Sequence, residues 1–308
     1  MIFSRPILVA NPHAGPPGRR RALAPLLQSF ARRFPEGMVL QSLPENRLDI
    51  PKDRDLLAVY GGDGTVHRIA GLSPPSSLPI LVLPGGTGNV LARHLGLSPF
   101  RFSPELLWSR LPEAETIPVR PGTLGTRRFL LMAGAGWDGL AVRRIFGKPL
   151  LGSLAYYLAG LSALFSRDLP LFSVTLTLPG GAEVRREGVR WCLISRLPPY
   201  LGPFRAILQE PPDTPLLQAT LVSGGRLGIV AAFAGFLPGI PKVFRPFSLT
   251  IRAARFLDSP NGGGVPFQAD GEAVPSVDSI GTAEETLTFL RFPPYVKKFR
   301  NSALNEKN

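Results

Sequence analysis

Cysteine is almost absent from this 308-residue chain: Cys192 is the only one, so no disulfide can form within it. Three histidines and one cysteine make an ordinary zinc site a poor expectation. No stretch reads G-x-x-x-x-G-K-[ST], which excludes a P-loop nucleotide site. Acidic residues are scarce, 22 against 35 basic ones, leaving a formal net charge of +13. That excess, mostly arginine, favours an anionic partner. It is scattered, with small clusters at Arg19-Arg20-Arg21, Arg32-Arg33, Arg127-Arg128 and Lys297-Lys298. No aromatic-rich basic motif accompanies them, so nucleic acid is not the expected partner. Long apolar runs are missing too. The uncharged segment Pro149–Ser166 falls short of the roughly 20 apolar residues a membrane span needs and contains Gly152, Ser153, Gly160 and Ser162. Met1–Pro6 lacks the apolar core of a signal peptide, so a cytosolic location is expected.

What is present is a chain long enough for two domains, 44% hydrophobic and therefore globular. Its most informative stretch is Tyr60-Gly61-Gly62-Asp63-Gly64-Thr65. The apolar run Leu56–Val59 before it reads as a buried strand, and Val66–Leu72 after it reads as a helix. Glycines let backbone N–H groups approach an anion, and a helix N-terminus adds partial positive charge. Thr65 is placed to cap that helix. Asp63 is discordant. A carboxylate about 4 Å from a phosphate is repelled by about 1 kcal/mol in water and about 4 kcal/mol at an effective dielectric of 20. A metal ion or a transferable proton between them would remove the conflict, which points to phosphoryl transfer. The competing reading is a Gly-Asp-Gly turn with Asp63 solvated.

Strands are expected at Pro6–Ala10, Met38–Leu43, Leu56–Tyr60 and Pro79–Leu83, with helical spacing over Arg19–Arg33 and Val90–Leu95. The first strand runs into Asn11-Pro12-His13-Ala14-Gly15 and the fourth into Pro84-Gly85-Gly86-Thr87-Gly88-Asn89. Alternating strands and helices imply an α/β doubly wound parallel sheet, with glycine loops at the edge where such sheets bind ligands. Beyond about residue 116, short β-rich runs predict an antiparallel sandwich or barrel-like domain. The expected division is 1–122 and 123–292. In Pro149–Ser166, Leu158, Leu161 and Phe165 lie on a bulky side and Ala159, Ser162 and Ala163 on a small one; the helix packs on protein or lies near lipid.

Gly134-Ala135-Gly136-Trp137-Asp138-Gly139 fits the G-x-G-x-x-G pattern, but no acidic residue follows near Ala155; a domain-junction turn with Asp138 near the cleft is expected. In Gln268-Ala269-Asp270-Gly271-Glu272, an extended backbone would put Asp270 and Glu272 on one side, so that one carboxylate takes a proton and the other orients the hydroxyl or holds a metal. Equally, Asp-Gly is a strong hairpin turn pair. His13, His67 and His94 each flank a loop, where packing is the ordinary role.

Asn11-Pro12-His13-Ala14-Gly15, Gly61-Gly62-Asp63-Gly64-Thr65, Pro84–Asn89, Gly136-Trp137-Asp138 and Asp270-Gly271-Glu272 together resemble, in order, the motifs of the diacylglycerol kinase catalytic-domain family, which includes bacterial lipid kinases and sphingosine kinases. The segment Phe146–Tyr156 also resembles its bacterial members. The resemblance implies an N-terminal ATP-binding domain like that of NAD kinases and phosphofructokinases, to which the chain's end, 293–308, returns, and a C-terminal β-sandwich that holds lipid. By that resemblance Asn11, Pro12, His13, Ala14, Gly15, Gly61, Gly62, Asp63, Gly64, Thr65, Val66, His67, Gly86, Thr87 and Asn89 belong to the ATP site. Glu272 or Asp270 is the general base, and Asp63 assists through Mg2+ or by orienting the hydroxyl. The implied activity is ATP- and magnesium-dependent phosphorylation of a diacylglycerol-type or long-chain-base hydroxyl, by a cytoplasmic protein peripherally bound to an anionic membrane. The family's structural magnesium site centres on an Asp-Gly pair; the nearest match is Asp213-Thr214-Pro215. Val90 also departs from the family, where many members carry Asp. An NAD kinase-like enzyme and a catalytically inactive nucleotide- or lipid-binding protein are the alternatives.

Overall fold

The computed structural model describes residues 2–15, 22–98, 103–145, 153–198, 204, 208, 210–237, 246–257, 264–275 and 277–293. Arg19-Arg20-Arg21, Lys297-Lys298 and the family-like residues 146–152 lie outside them.

The first half is built on strands whose residues are apolar on both faces. β1 (Pro6–Ala10), β3 (Leu56–Gly61) and β4 (Ile80–Pro84) are buried throughout, as strands sandwiched between helix layers must be; β2 (Met38–Leu40) lies at the edge. They pair in parallel in the order β2-β1-β3-β4. The chain connects them through α1 (Leu23–Arg33), α2 (Asp63–Gly71), α3 (Val90–His94) and α4 (Pro104–Arg110). Helix α4 carries no strong sequence signal; Trp108 anchors it, donating its indole N–H to Ser29 Oγ at 3.0 Å and packing edge-on against Phe30 and Phe34. β5 (Glu115–Val119) completes this sheet, although its composition resembles the β-rich second half.

Two six-stranded antiparallel sheets form the second half. One comprises β6 (Gly122–Leu124), β7 (Arg127–Phe129), β9 (Phe172–Thr177), β10 (Glu183–Val189), β14 (Ala253–Leu257) and β17 (Ser279–Thr282). The other comprises β8 (Met132–Gly136), β11 (Trp191–Ser195), β12 (Leu217–Val222), β13 (Ser248–Ile251), β15 (Phe267–Ala269) and β16 (Glu272–Val274). Helices α5 (Trp137–Ile145), α6 (Ser153–Leu164) and α7 (Gly225–Gly235) complete this half. β11 shows how the layers interlock. Cys192 and Ile194 face the core between the two antiparallel sheets, while Trp191 and Leu193 face the opposite way, into the core shared with the parallel sheet. A strand buried on both faces needs no polar alternation, and none is present. β10 (EVRREGV) is a charged edge strand that pairs only with β9 among the described residues, which explains why its apolar signal is weak.

The last apolar run of the expected second domain, Thr286–Phe292, instead joins the first sheet. β18 (Leu287–Arg291) lies between β4 and β5, parallel to the former and antiparallel to the latter. Leu287, Phe289 and Leu290 are buried there. The chain thus returns to the first sheet before residue 293, while 294–308 lie outside the described residues.

Candidate active site

The two glycine loops meet back to back. A Cβ on Gly86 would come within 2.4 Å of Gly62 Cα, and one on Gly62 within 3.1 Å of Gly86 Cα, so both positions need glycine for close backbone approach. Asn89 adopts the left-handed conformation and locks its loop, accepting from Gly86 N–H at 2.8 Å and donating to Gly86 O at 2.6 Å. The Asn11–Gly15 loop is tied to the Gly61–Thr65 loop: Asn11 Nδ2 donates to Thr65 Oγ1 at 2.9 Å. Thr65 therefore does not cap its own helix. α2 begins at Asp63 with Gly62 as N-cap, three residues earlier than the sequence suggests.

Asp63 has partners that neither sequence reading supplied. Its two oxygens accept Val90 N–H and Leu91 N–H, both at 3.0 Å, at the start of α3. The carboxylate thus caps a neighbouring helix and opposes its dipole. Burial raises the Asp63 pKa against these two hydrogen bonds, and the Asp270 charge raises it further.

Asp270-Gly271 is the two-residue turn between β15 and β16, with positive φ at both positions, 49° and 86°. The same-face geometry of an extended strand therefore does not occur: Asp270 and Glu272 separate. Asp270 turns inward, its side chain 4% exposed, and accepts from the backbone N–H groups of Leu130 (2.7 Å), Leu131 (2.8 Å) and Met132 (2.9 Å). His67, on α2, reaches across to it with Nδ1 at 3.0 Å from Oδ2. Burial alone would lower the His67 pKa; the hydrogen bond and charge of Asp270, aided by Glu272, outweigh it and raise the pKa. On the turn's other side, buried Gln268 accepts Gly271 N–H at 2.9 Å and donates to Asp138 at 3.1 Å. Asp138 is fully buried at the start of α5, and burial pushes its carboxyl up to about 7. The Gly134–Gly136 segment is not a junction turn but the end of β8, running directly into α5.

Glu272 is held differently. Its side chain is 50% exposed, with Arg127 at 3.8 Å, and its Oε1 hangs over the first turn of α2, where a Cβ on Gly64 would come within 2.7 Å. Two cavities meet at this point. The smaller, about 480 Å³, is bordered by the polar and basic side chains of Asn11, Thr65, His67, Arg68, Arg127 and Arg128, with Leu43 among them. The larger, about 930 Å³, runs from Asp63, Thr87 and Arg93 into an apolar interior bounded by α5, α6 and α7, including Leu131, Trp137, Leu164 and Phe233. Gly64 and Glu272 line both.

The expected ATP residues thus divide. Asn11, Gly64, Thr65 and His67 face the smaller cavity, and Gly62, Asp63, Gly64 and Thr87 face the larger. Gly61, Val66, Gly86 and Asn89 are buried behind them. Ala14 is buried, His13 is exposed, and Gly15 has a φ of 73°; with Pro12 they lie outside the linings of these two cavities. Arg68, Arg93, Arg127 and Tyr156 also line the site. The Arg127-Arg128 pair was visible as a basic cluster; the others carry no local signal. Asp213 is an exposed carboxylate that lines neither cavity, and no group of three or more His, Cys, Asp or Glu able to hold a metal occurs among the described residues.

Residues 5–124 match the model of the diacylglycerol kinase catalytic domain. Over this segment the chain is similar to the diacylglycerol kinase catalytic domain. A diacylglycerol kinase of Bacillus subtilis (strain 168) is 29% identical over 210 residues, 57% of this chain and 66% of the relative, just under two thirds of its length. A diacylglycerol kinase structure from Bacillus anthracis str. Sterne aligns at 20% identity with a TM-score of 0.68, covering 95% of this chain and 99% of its own. A second structure from that organism gives 0.74 at 20% identity, covering 96% and 99%. These likenesses extend the fold, though not the chemistry, through the antiparallel half.

Proposed function

We propose that the protein is an ATP-dependent lipid kinase whose reaction takes place where the two cavities meet. The observation that carries this reading is the shared wall: Gly64 and Glu272 border both a basic cavity and a larger apolar one. The first suits a polyphosphate, with arginine charge and an α2 N-terminus facing it. The second suits an acyl or long alkyl chain. A hydroxyl at the head of that chain would lie beside Glu272, whose half-exposed carboxylate is free to approach it. Glu272 takes the hydroxyl proton, the hydroxyl oxygen bonds to the γ-phosphorus, and the bond from that phosphorus to the bridging oxygen breaks, releasing ADP.

Asp270 is then a positioning residue. Its acceptor capacity is already committed to three backbone N–H groups and His67. Asp63 holds the second glycine loop against the first. Asp63 and Glu272 are the carboxylates beside the phosphate position that would hold a phosphate-borne magnesium, which when bound neutralises charge on the phosphoryl oxygens.

Access from a membrane follows from the helices around the apolar cavity. α6 buries Ala155, Ala159 and Ala163, while Leu158 and, just past the helix end, Phe165 are exposed, as is Leu227 on α7; Leu161 and Val230 are exposed where they line the larger cavity. Neither helix carries an acidic residue. Arg144 and Arg226 donate to groups near the end of α6, at Ser166 Oγ (2.8 Å) and Leu164 O (3.0 Å) respectively. An apolar face edged by arginines suits an anionic bilayer. No helix among the described residues is long and apolar enough to cross one.

The test is label transfer from ATP, with magnesium, to vesicles containing diacylglycerols or long-chain bases. Folded protein giving no lipid-dependent transfer would refute the proposal, and NADP formation from NAD would replace it with a soluble acceptor.

A further inference from the structure

The loop at 211–216, where the family resemblance places a structural magnesium, wraps around a side chain. Arg196 follows β11 directly and is 3% exposed. One nitrogen of its guanidinium, Nη1, faces three main-chain carbonyl oxygens from alternate residues: Leu216 at 2.8 Å, Thr214 at 3.0 Å and Pro212 at 3.4 Å. Arg120 holds the same loop from another side. Its backbone N–H donates to Pro212 O at 2.8 Å and its Nε to Asp213 O at 3.0 Å.

Alternate carbonyls converging on one point are what a hard cation gathers around itself. Here a cation covalently attached to the chain stands at that point. The Asp213 carboxylate is exposed and acts on Arg196 through charge. Burial, with Arg120 adding to it, lowers the Arg196 pKa to about 10, which still leaves the guanidinium charged at neutral pH. Two guanidiniums on one loop repel a divalent ion, and the carbonyls of Pro212, Asp213, Thr214 and Leu216 are already engaged. The residues present therefore do not fit a magnesium site.

We infer that Arg196 replaces the structural divalent cation in this loop, so that the antiparallel half is held together without metal. The inference concerns stability and stands whether or not the proposed kinase reaction is correct. Thermal unfolding of the full chain without nucleotide tests it. The melting temperature should be the same in EDTA as in millimolar magnesium or calcium, and equilibrium dialysis without nucleotide should retain neither ion. Asp213→Asn should melt like the parent in both conditions. Arg196→Met, which preserves the apolar stem, should melt lower than the parent even in EDTA. A fall in the parent's melting temperature on chelation, a retained ion, or a magnesium-dependent difference between parent and Asp213→Asn would overturn the inference. So would an Arg196→Met protein as stable as the parent. If Arg196→Met does not fold, the parent and Asp213→Asn measurements still decide.

Discussion

Gly64→Ala separates the chemistry of this site from its stability. Gly64 is exposed and occupies the second position of α2, with no positive φ to defend. Alanine there improves helix propensity by up to about 1 kcal/mol, less in a first turn than in a helix interior. The added Cβ would, however, sit 2.7 Å from Glu272 Oε1; ordinary contact begins at 3.4 Å, so the carboxylate must retreat by about 0.7 Å. Glu272 is half exposed and can move without disturbing the core. Misplacing a reacting group by about 1 Å can cost about 100-fold in rate. The expected variant therefore melts at or slightly above the parent temperature while losing about 10- to 100-fold in kcat for lipid phosphorylation, at similar KM for ATP. Calorimetry beside the vesicle assay reads both. Parental turnover in the variant would refute the placement of the base over α2, and a large loss of stability would refute the geometry itself. Gly86→Ala is the contrasting case. Its Cβ would meet backbone, Gly62 Cα, at 2.4 Å, so it should destabilise by at least the ~1–3 kcal/mol typical of overpacking.

Glu272→Gln should reduce turnover by about 100- to 10,000-fold with little change in melting temperature; equal turnover would remove Glu272 as the base. Asp270→Asn should behave oppositely in stability, losing about 3 kcal/mol in chemical denaturation, because one buried partner of His67 and three N–H groups is weakened. A parental denaturation midpoint would contradict that role. His67 has a raised pKa in the folded protein, so its contribution is fully present below the unfolded value near 6.5 and is lost as pH rises through the folded one. The stability difference between parent and His67→Gln should shrink across that window; a constant difference would show that the pair is not charged. Phe165 and Leu227 are 68% and 83% exposed. Changing both to serine should weaken partition into anionic vesicles by about 100-fold, at about 1.5 kcal/mol per side chain, without altering the fold; undiminished sedimentation with vesicles would place the docking face elsewhere.

The parallel sheet was legible because its strands are short apolar runs ending in glycine loops, and strand type, helix position and loop edge are local properties. The sandwich was legible as a class, but not strand by strand. β10 is charged because it is an edge, and β18 looks like any other apolar strand, so nothing local says which sheet takes it. Asp63 and Asp270 stand out in the sequence, yet their partners are backbone N–H groups of Val90, Leu91 and Leu130–Met132, donors that every residue carries and that no pattern reveals.

The sequence alone therefore determined the two-part architecture, the paired glycine loops and the Asp270-Gly271-Glu272 segment, because turn chemistry and burial period are written residue by residue. Only the tertiary structure decided how the two carboxylates of that segment divide. Positive φ at Asp270 and Gly271 turns one inward onto backbone donors and leaves the other over α2, at the wall between two cavities. It likewise decided that Arg196 stands among the carbonyls of the 211–216 loop, since a contact between a strand end and a loop many residues away has no signature in the chain.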